Sequence, residues 1–89
     1  MTGSQSGGPE KLTAHLDSLH TTTLGVGRIR RNLSLGADTD VVVWCRARIS
    51  APGSEIERAG KNWYVTTADR CRITVNAFSY TIITAHPLK

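Results

Sequence analysis

The spacing of apolar positions changes period near the middle of the chain. In the N-terminal part Leu12, Leu16 and Leu19 recur at steps of four and three, the stripe of an amphipathic helix running from Pro9 to about His20. Proline suits a first helical turn, where its missing N–H would have no partner anyway. Thr21-Thr22-Thr23 then interrupts the pattern and offers a hydroxyl cap for a second helix. In that helix Leu24, Ile29, Leu33 and Leu35 are the apolar positions, Arg28, Arg30 and Arg31 lie between them, and Gly25 and Gly27 weaken the start. Gly36 to Asp40 reads as a loop ending in a cap. The segment Val41 to Ile49 opens with three β-branched valines, yet Val42, Cys45 and Ile49 fall on one helical face, which favours a third helix.

After the Ser50-Ala51-Pro52-Gly53-Ser54 break the period drops to two. A weak strand at Ile56 to Arg58 precedes three β-rich runs, Lys61 to Thr67, Cys71 to Ala77 and Tyr80 to His86. Ala68-Asp69-Arg70 is short enough for a hairpin loop, Phe78-Ser79 makes the next connection tight, and Pro87 ends the last strand. Helices followed by strands on short loops predict an α+β fold, with N-terminal helices packed on one face of a three- to four-stranded, mainly antiparallel sheet. The expected organisation is a disordered Gly/Ser-rich segment over residues 1–8 and one domain over 9–89, helical to residue 50 and a sheet over 54–86.

Strand parity separates a core face from a polar one. Trp63, Val65, Cys71, Ile73, Val75, Ile83 and Ala85 form the first, and strict alternation adds Thr81 to it. The second then displays Asn62, Tyr64, Thr66, Arg72, Thr74, Asn76, Tyr80, Ile82, Thr84 and His86. Hydroxyls, amides, tyrosines and an imidazole are an unusual choice for a merely solvated face, where Lys, Glu and Gln are commoner. Tyrosines stack on bases, and compact donors suit phosphate oxygens and the 2′-hydroxyl. The plainer account is that Thr and Tyr are good strand formers.

Charge sharpens the choice of partner only modestly. Eleven Lys+Arg against seven Asp+Glu give a net charge of +4 over 89 residues, spread over both halves of the chain. Such an excess favours polyanions, nucleic acid or nucleotide, and is equally compatible with ordinary solubility; RNA enters as a candidate partner through the polar face. At this length one small domain is expected, and no apolar run approaches the length of a membrane span. The N-terminus lacks the basic start and apolar centre of a secretory signal. Cys45 and Cys71 are too few for a disulfide scaffold and lack metal-ligand spacing, so a reduced, cytoplasmic domain without metal or cofactor is expected.

His86, at the end of the last strand on the polar face, is the sharpest chemical candidate, since imidazole serves as acid or base near neutrality. Cleavage of RNA by its own 2′-hydroxyl needs a base, an acid at the leaving oxygen, and cationic or hydrogen-bonding groups on the phosphate. Lys61 would hold the phosphate, Tyr64 would position the scissile group or act as acid, and Thr84 and Ser79 would donate to phosphate oxygens. Arg28, Arg30 and Arg31 read as a solvated helix edge or as a rim following phosphates; Asn62, Arg72, Asn76 and Tyr80 would complete an RNA-binding face. His15 reads as a solvent-facing helix residue and His20 as part of a cap. Gly25-Val26-Gly27 lacks the preceding strand and third glycine of a phosphate loop.

Gly60-Lys61-Asn62-Trp63-Tyr64, the block from Ile73 to His86 (ITVNAFSYTIITAH) and Arg28-Ile29-Arg30-Arg31-Asn32-Leu33 resemble a small bacterial and phage-associated family without assigned activity. More distantly, two N-terminal helices before a sheet ending in Thr84-Ala85-His86 are similar to the metal-independent ribonuclease superfamily of barnase, EndoU, colicin tRNases and RelE-type toxins. That resemblance implies Lys61, Tyr64, Ser79, Thr81, Thr84 and His86 as the catalytic set, with a cognate antitoxin or host protein as a further partner. Thr81 joins the set only if the last strand is bulged or twisted. The alternative is a non-catalytic accessory module that binds RNA or protein with the same face. An exposed strand edge would allow a homodimer, and no membrane partner is expected.

Overall fold

The computed structural model describes residues 9–88, with the backbone alone at Pro9; the disorder expected over residues 1–8 lies outside the described residues. Helix α1 (Pro9–Ala14) ends sooner than the leucine stripe predicts, and a single 3-10 turn (Leu16–Ser18) follows. Leu12 and Leu19 are buried and Leu16 half-buried, so the stripe meets the core although its helix is broken at His15.

Helix α2 (Thr23–Leu33) starts where the threonine run predicts. Thr22 is the N-cap, its hydroxyl accepting from Gly25 N at 3.0 Å. The helix stops at Ser34, which adopts the left-handed conformation (φ 56°) and lets Leu35 N donate to Arg30 O at 2.9 Å. Helix α3 (Val41–Ser50) forms in spite of its valines because Asp40 caps it, accepting from Val42 N and Val43 N at 3.0 and 3.1 Å. Its buried face is Val41, Cys45 and Ile49, one residue offset at the start from the face the sequence suggests.

The strands β1 (Glu55–Ala59), β2 (Asn62–Thr66), β3 (Cys71–Asn76) and β4 (Ile82–Pro87) form an antiparallel sheet in chain order. The helices pack against one face, where Trp63, Val65, Ile73, Val75 and Ala85 are fully buried. The α+β architecture is thus the one the sequence predicts. No helix among the described residues is long and apolar enough to cross a membrane.

Strict alternation fails in β4. The register slips between Thr74, which faces Thr84, and Val75, which faces Ile82, so Ile83 is the extra residue of a β-bulge. The bulge reverses two assignments. Ile82 is buried in the core instead of lying on the polar face, and Ile83 is 38% exposed instead of buried. It also removes Thr81 from the core side. Helix α2 runs along the outer edge of this strand: Thr21 Oγ1 donates to Ile82 O at 2.8 Å and Asn32 Nδ2 to Ala85 O at 3.2 Å.

Candidate functional site

The sequence-predicted residues fall into two groups on the polar side of the sheet. Register places Thr66, Arg72 and His86 in one rung and Tyr64, Thr74 and Thr84 in the next, so the parity expected for His86 and Thr84 holds, whereas Thr74, expected on display, is buried in the central strand β3. Arg72 Nη2 reaches Thr66 Oγ1 at 3.3 Å, its guanidinium lies 6.0 Å from the Tyr64 ring, and its Nε is buried without a partner. His86 turns its Nδ1 to the carbonyl of Pro87 at 3.2 Å.

The second group gathers at the other end of the sheet, where the β1–β2 and β3–β4 turns meet. Lys61 is exposed there, its carbonyl accepting from Ala77 N at 2.8 Å. Asn76, paired with Asn62 across β2 and β3, accepts from Phe78 N and Ser79 N at 2.9 Å each and from Ser79 Oγ at 3.1 Å. Asn62 Nδ2 donates to the Tyr64 hydroxyl at 3.3 Å, while Asn62 Oδ1 is buried with no hydrogen-bond partner. The two groups are separated by four residues along β3, from Asn76 to Arg72, or about 13 Å at the usual strand rise. Lys61 and His86 therefore belong to opposite ends of the face.

The histidine at the Lys61 end is His20. Between the 3-10 turn and α2 the chain is extended and adds a one-residue parallel bridge to Thr81, with His20 N on Tyr80 O at 3.2 Å and Ile82 N on His20 O at 2.7 Å. Its Nδ1 lies 3.0 Å from Ser18 O. A carbonyl only accepts, so in the neutral ring Nδ1 carries the proton and Nε2 is the basic atom. Nε2 is 3.0 Å from Thr81 Oγ1, which is 2.7 Å from Ser79 Oγ. The hydroxyl of Thr81 then donates to the imidazole, and the single Ser79 hydroxyl proton is shared between Thr81 Oγ1 and Asn76 Oδ1. A carbonyl-oriented imidazole facing a hydroxyl is the arrangement of an activated base, whichever hydroxyl occupies the outer position.

Four predicted RNA-binding residues lie elsewhere. Tyr80 is in the left-handed conformation (φ 60°), which turns its ring under the sheet against Trp63 and His15, with centroids 5.4 and 5.8 Å apart. Its expected place on the polar face is corrected accordingly. Arg30 donates to Gly36 O and Thr39 O at 3.1 and 2.8 Å and ties down the α2–α3 loop. The guanidinium groups of Arg28 and Arg31 have no hydrogen-bond or ion-pair partner among the described residues and border a groove on α2. Sequence reading gave His20 a capping role. Its position just before a threonine cap was the only signal, because its partner lies 61 residues away.

Among the described residues no group of three His, Cys, Asp or Glu side chains is placed to hold a metal ion. A family model described as "Protein of unknown function (DUF3781)" matches residues 13–86, which takes in both groups. The chain belongs to that family. No curated protein and no solved structure matches it. The matched span begins at Thr13 and ends at His86, so His20, Thr81, Ser79, Lys61 and all of the sheet except Pro87 lie within the family's own domain.

Proposed function

We propose that this DUF3781 domain is a small RNA-directed endoribonuclease of the toxin type, with His20 rather than His86 at its centre. The observation that carries the reading is the imidazole of His20, held by Ser18 O and aimed through Nε2 at the hydroxyls of Thr81 and Ser79. In the proposed reaction a substrate 2′-hydroxyl enters beside Thr81 and gives its proton to His20 Nε2. Its oxygen bonds to the adjacent phosphorus, the bond from phosphorus to the 5′-oxygen breaks, and that oxygen takes up a proton. The products are a 2′,3′-cyclic phosphate and a 5′-hydroxyl.

Tyr64 is suited to supply the second proton, because its oxygen accepts from Asn62 and leaves the phenolic hydrogen free to point at substrate. Lys61 at the same end would counter the charge that builds on phosphate, and Ser79 and Thr81 would donate to its oxygens. Arg72, Thr66, Thr84 and His86 would then bind the strand beyond the cleaved bond. The resemblance to metal-independent ribonucleases fits this chemistry, and an inhibitory partner such as an antitoxin would cover the same face.

Incubation of the purified protein with total RNA and tRNA in the presence of chelator tests the reading, with product ends analysed for cyclic phosphate. Cleavage abolished by His20→Ala and only weakened by His86→Ala is the expected result. Full activity in a folded His20→Ala protein would overturn it. A second reading, binding without turnover, is favoured by the closure of the network on itself. His20, Thr81, Ser79 and Asn76 form one continuous chain of contacts that also clips the α1–α2 junction to the β3–β4 turn. Stoichiometric RNA binding with no product would select that reading.

A further inference from the structure

Three residues beyond His20 the chain enters α2, and the outer side of that helix carries a shallow groove of about 210 Å³ lined by Thr23, Leu24, Gly27, Arg28 and Arg31. Helical geometry fixes which way the groove faces. Arg28 precedes Asn32 by four residues and so shares its flank, and Asn32 donates to Ala85 O on the edge of β4. Leu24, Arg28 and Arg31 follow one another at steps of four and three and carry the groove round to the outer face of the helix, turned from the buried Gly25 and Ile29. The groove therefore opens to solvent along α2, with Arg28 on the side nearer β4 and Thr23, three residues from His20, at its start.

Several features give the groove a chemical character. Its two guanidinium groups have no partner among the described residues, in contrast to Arg30 on the neighbouring flank. Leu24 is 79% exposed, an apolar surface left beside the two cations. Gly27 leaves the floor open: a Cβ built there meets nothing within 4 Å. The volume is below the roughly 300–1,000 Å³ of small-molecule sites, which suits one unit of a chain more than a whole ligand. The first turn of α2 adds the positive end of its dipole.

We infer that this groove binds successive phosphates of the RNA strand next to the bond at His20, with Arg28 and Arg31 on phosphate oxygens and Leu24 against a sugar or base. The inference rests on the proposed RNA-directed function and assigns the path of the strand. Positive charge facing a phosphate backbone sets both affinity and its salt dependence.

The test uses a labelled 2′-O-methyl RNA of about 12 nucleotides, within the usual span of a single-strand-binding surface. Such an oligomer cannot be cleaved, because its 2′-oxygen carries no proton. Arg28→Ala with Arg31→Ala should weaken binding about tenfold and lower the slope of log affinity against log salt by about 2, one for each lost phosphate contact. Gly27→Glu should fill the groove and weaken binding by a similar factor while folding normally. If wild type binds and the groove variants keep its affinity and slope, the inference falls while the RNA reading stands. If the groove variants lose binding but folded His20→Ala still cleaves unmodified RNA, the groove stands and the catalytic reading falls. Absence of any binding by wild type would overturn both.

Discussion

At the β2–β3 turn Thr67 donates to the carboxylate of Asp69, and its oxygen accepts from Cys71 N at 3.0 Å. The hydroxyl of Thr67, aided by the Arg48 guanidinium at 3.2 Å, holds the Asp69 carboxyl below its ordinary value of 3.8. A carboxyl depressed in the folded chain contributes stability above its unfolded pKa and loses that contribution as pH falls through the folded one. Asp69→Asn should therefore reduce stability at neutral pH by at most about 1 kcal/mol, as for other exposed pairs. It should also flatten the fall in melting temperature below pH 4; an unchanged acid limb would count against this assignment. The two thiols nearby behave oppositely. Burial, with Cys71 adding to it, pushes the Cys45 thiol up to about 12, and burial also raises Cys71. Since the thiolate is the reactive form, neither should react with a disulfide reagent at pH 7.5 until the chain is unfolded in denaturant, when both should titrate. Rapid native labelling of Cys45 would contradict the packing of α3.

Elements that rest on local rules were legible in the sequence, and those that rest on one extra residue or a distant contact were not. The threonine cap, the aspartate cap and the parity of β2 and β3 all follow from neighbouring residues. The bulge at Ile83 does not, because Ile82 and Ile83 are chemically equal and either could take the core. Their energetics should now differ sharply. Ile82→Ala empties a buried site and should cost about 2–5 kcal/mol in denaturant unfolding, whereas Ile83→Thr should change stability little. The reverse order, with Ile83→Thr the costlier change, would mean that the strand alternates strictly. The two glycines of α2 make a parallel case. A Cβ at Gly25 would fall inside the Thr21 hydroxyl that binds Ile82 O, so Gly25→Ala should destabilise by breaking that clip. Gly27→Ala, in open space, should stabilise the helix by about 0.5–1 kcal/mol.

For the whole molecule the unequal treatment of the two sheet edges decides how it can associate. Thr21 and Asn32 bind carbonyls on the outer side of β4, and the His20 bridge extends that seal, so α2 and its lead-in close one edge. This arrangement also accounts for the candidate site, because sealing the edge carries His20 to Thr81 across 61 residues of sequence that show no sign of the encounter. The other edge, β1, has no strand beyond it among the described residues and reads Glu-Ile-Glu-Arg-Ala. If two copies paired there about a two-fold axis centred on Glu57, the two Glu57 carboxylates would face each other and Glu55 would face Ala59. Like charges directly opposite destabilise a strand pair, and charged edge residues are a common barrier to pairing. The wild-type chain should accordingly be monomeric in light scattering after size exclusion, against the homodimer that an open edge would otherwise allow. Glu55→Thr with Glu57→Thr removes the repulsion and improves strand propensity, so that variant should dimerise in a concentration-dependent way. A wild-type dimer that persists when Arg58→Pro blocks pairing along β1 would mean that association uses another surface, with the polar face of the sheet as the next place to look.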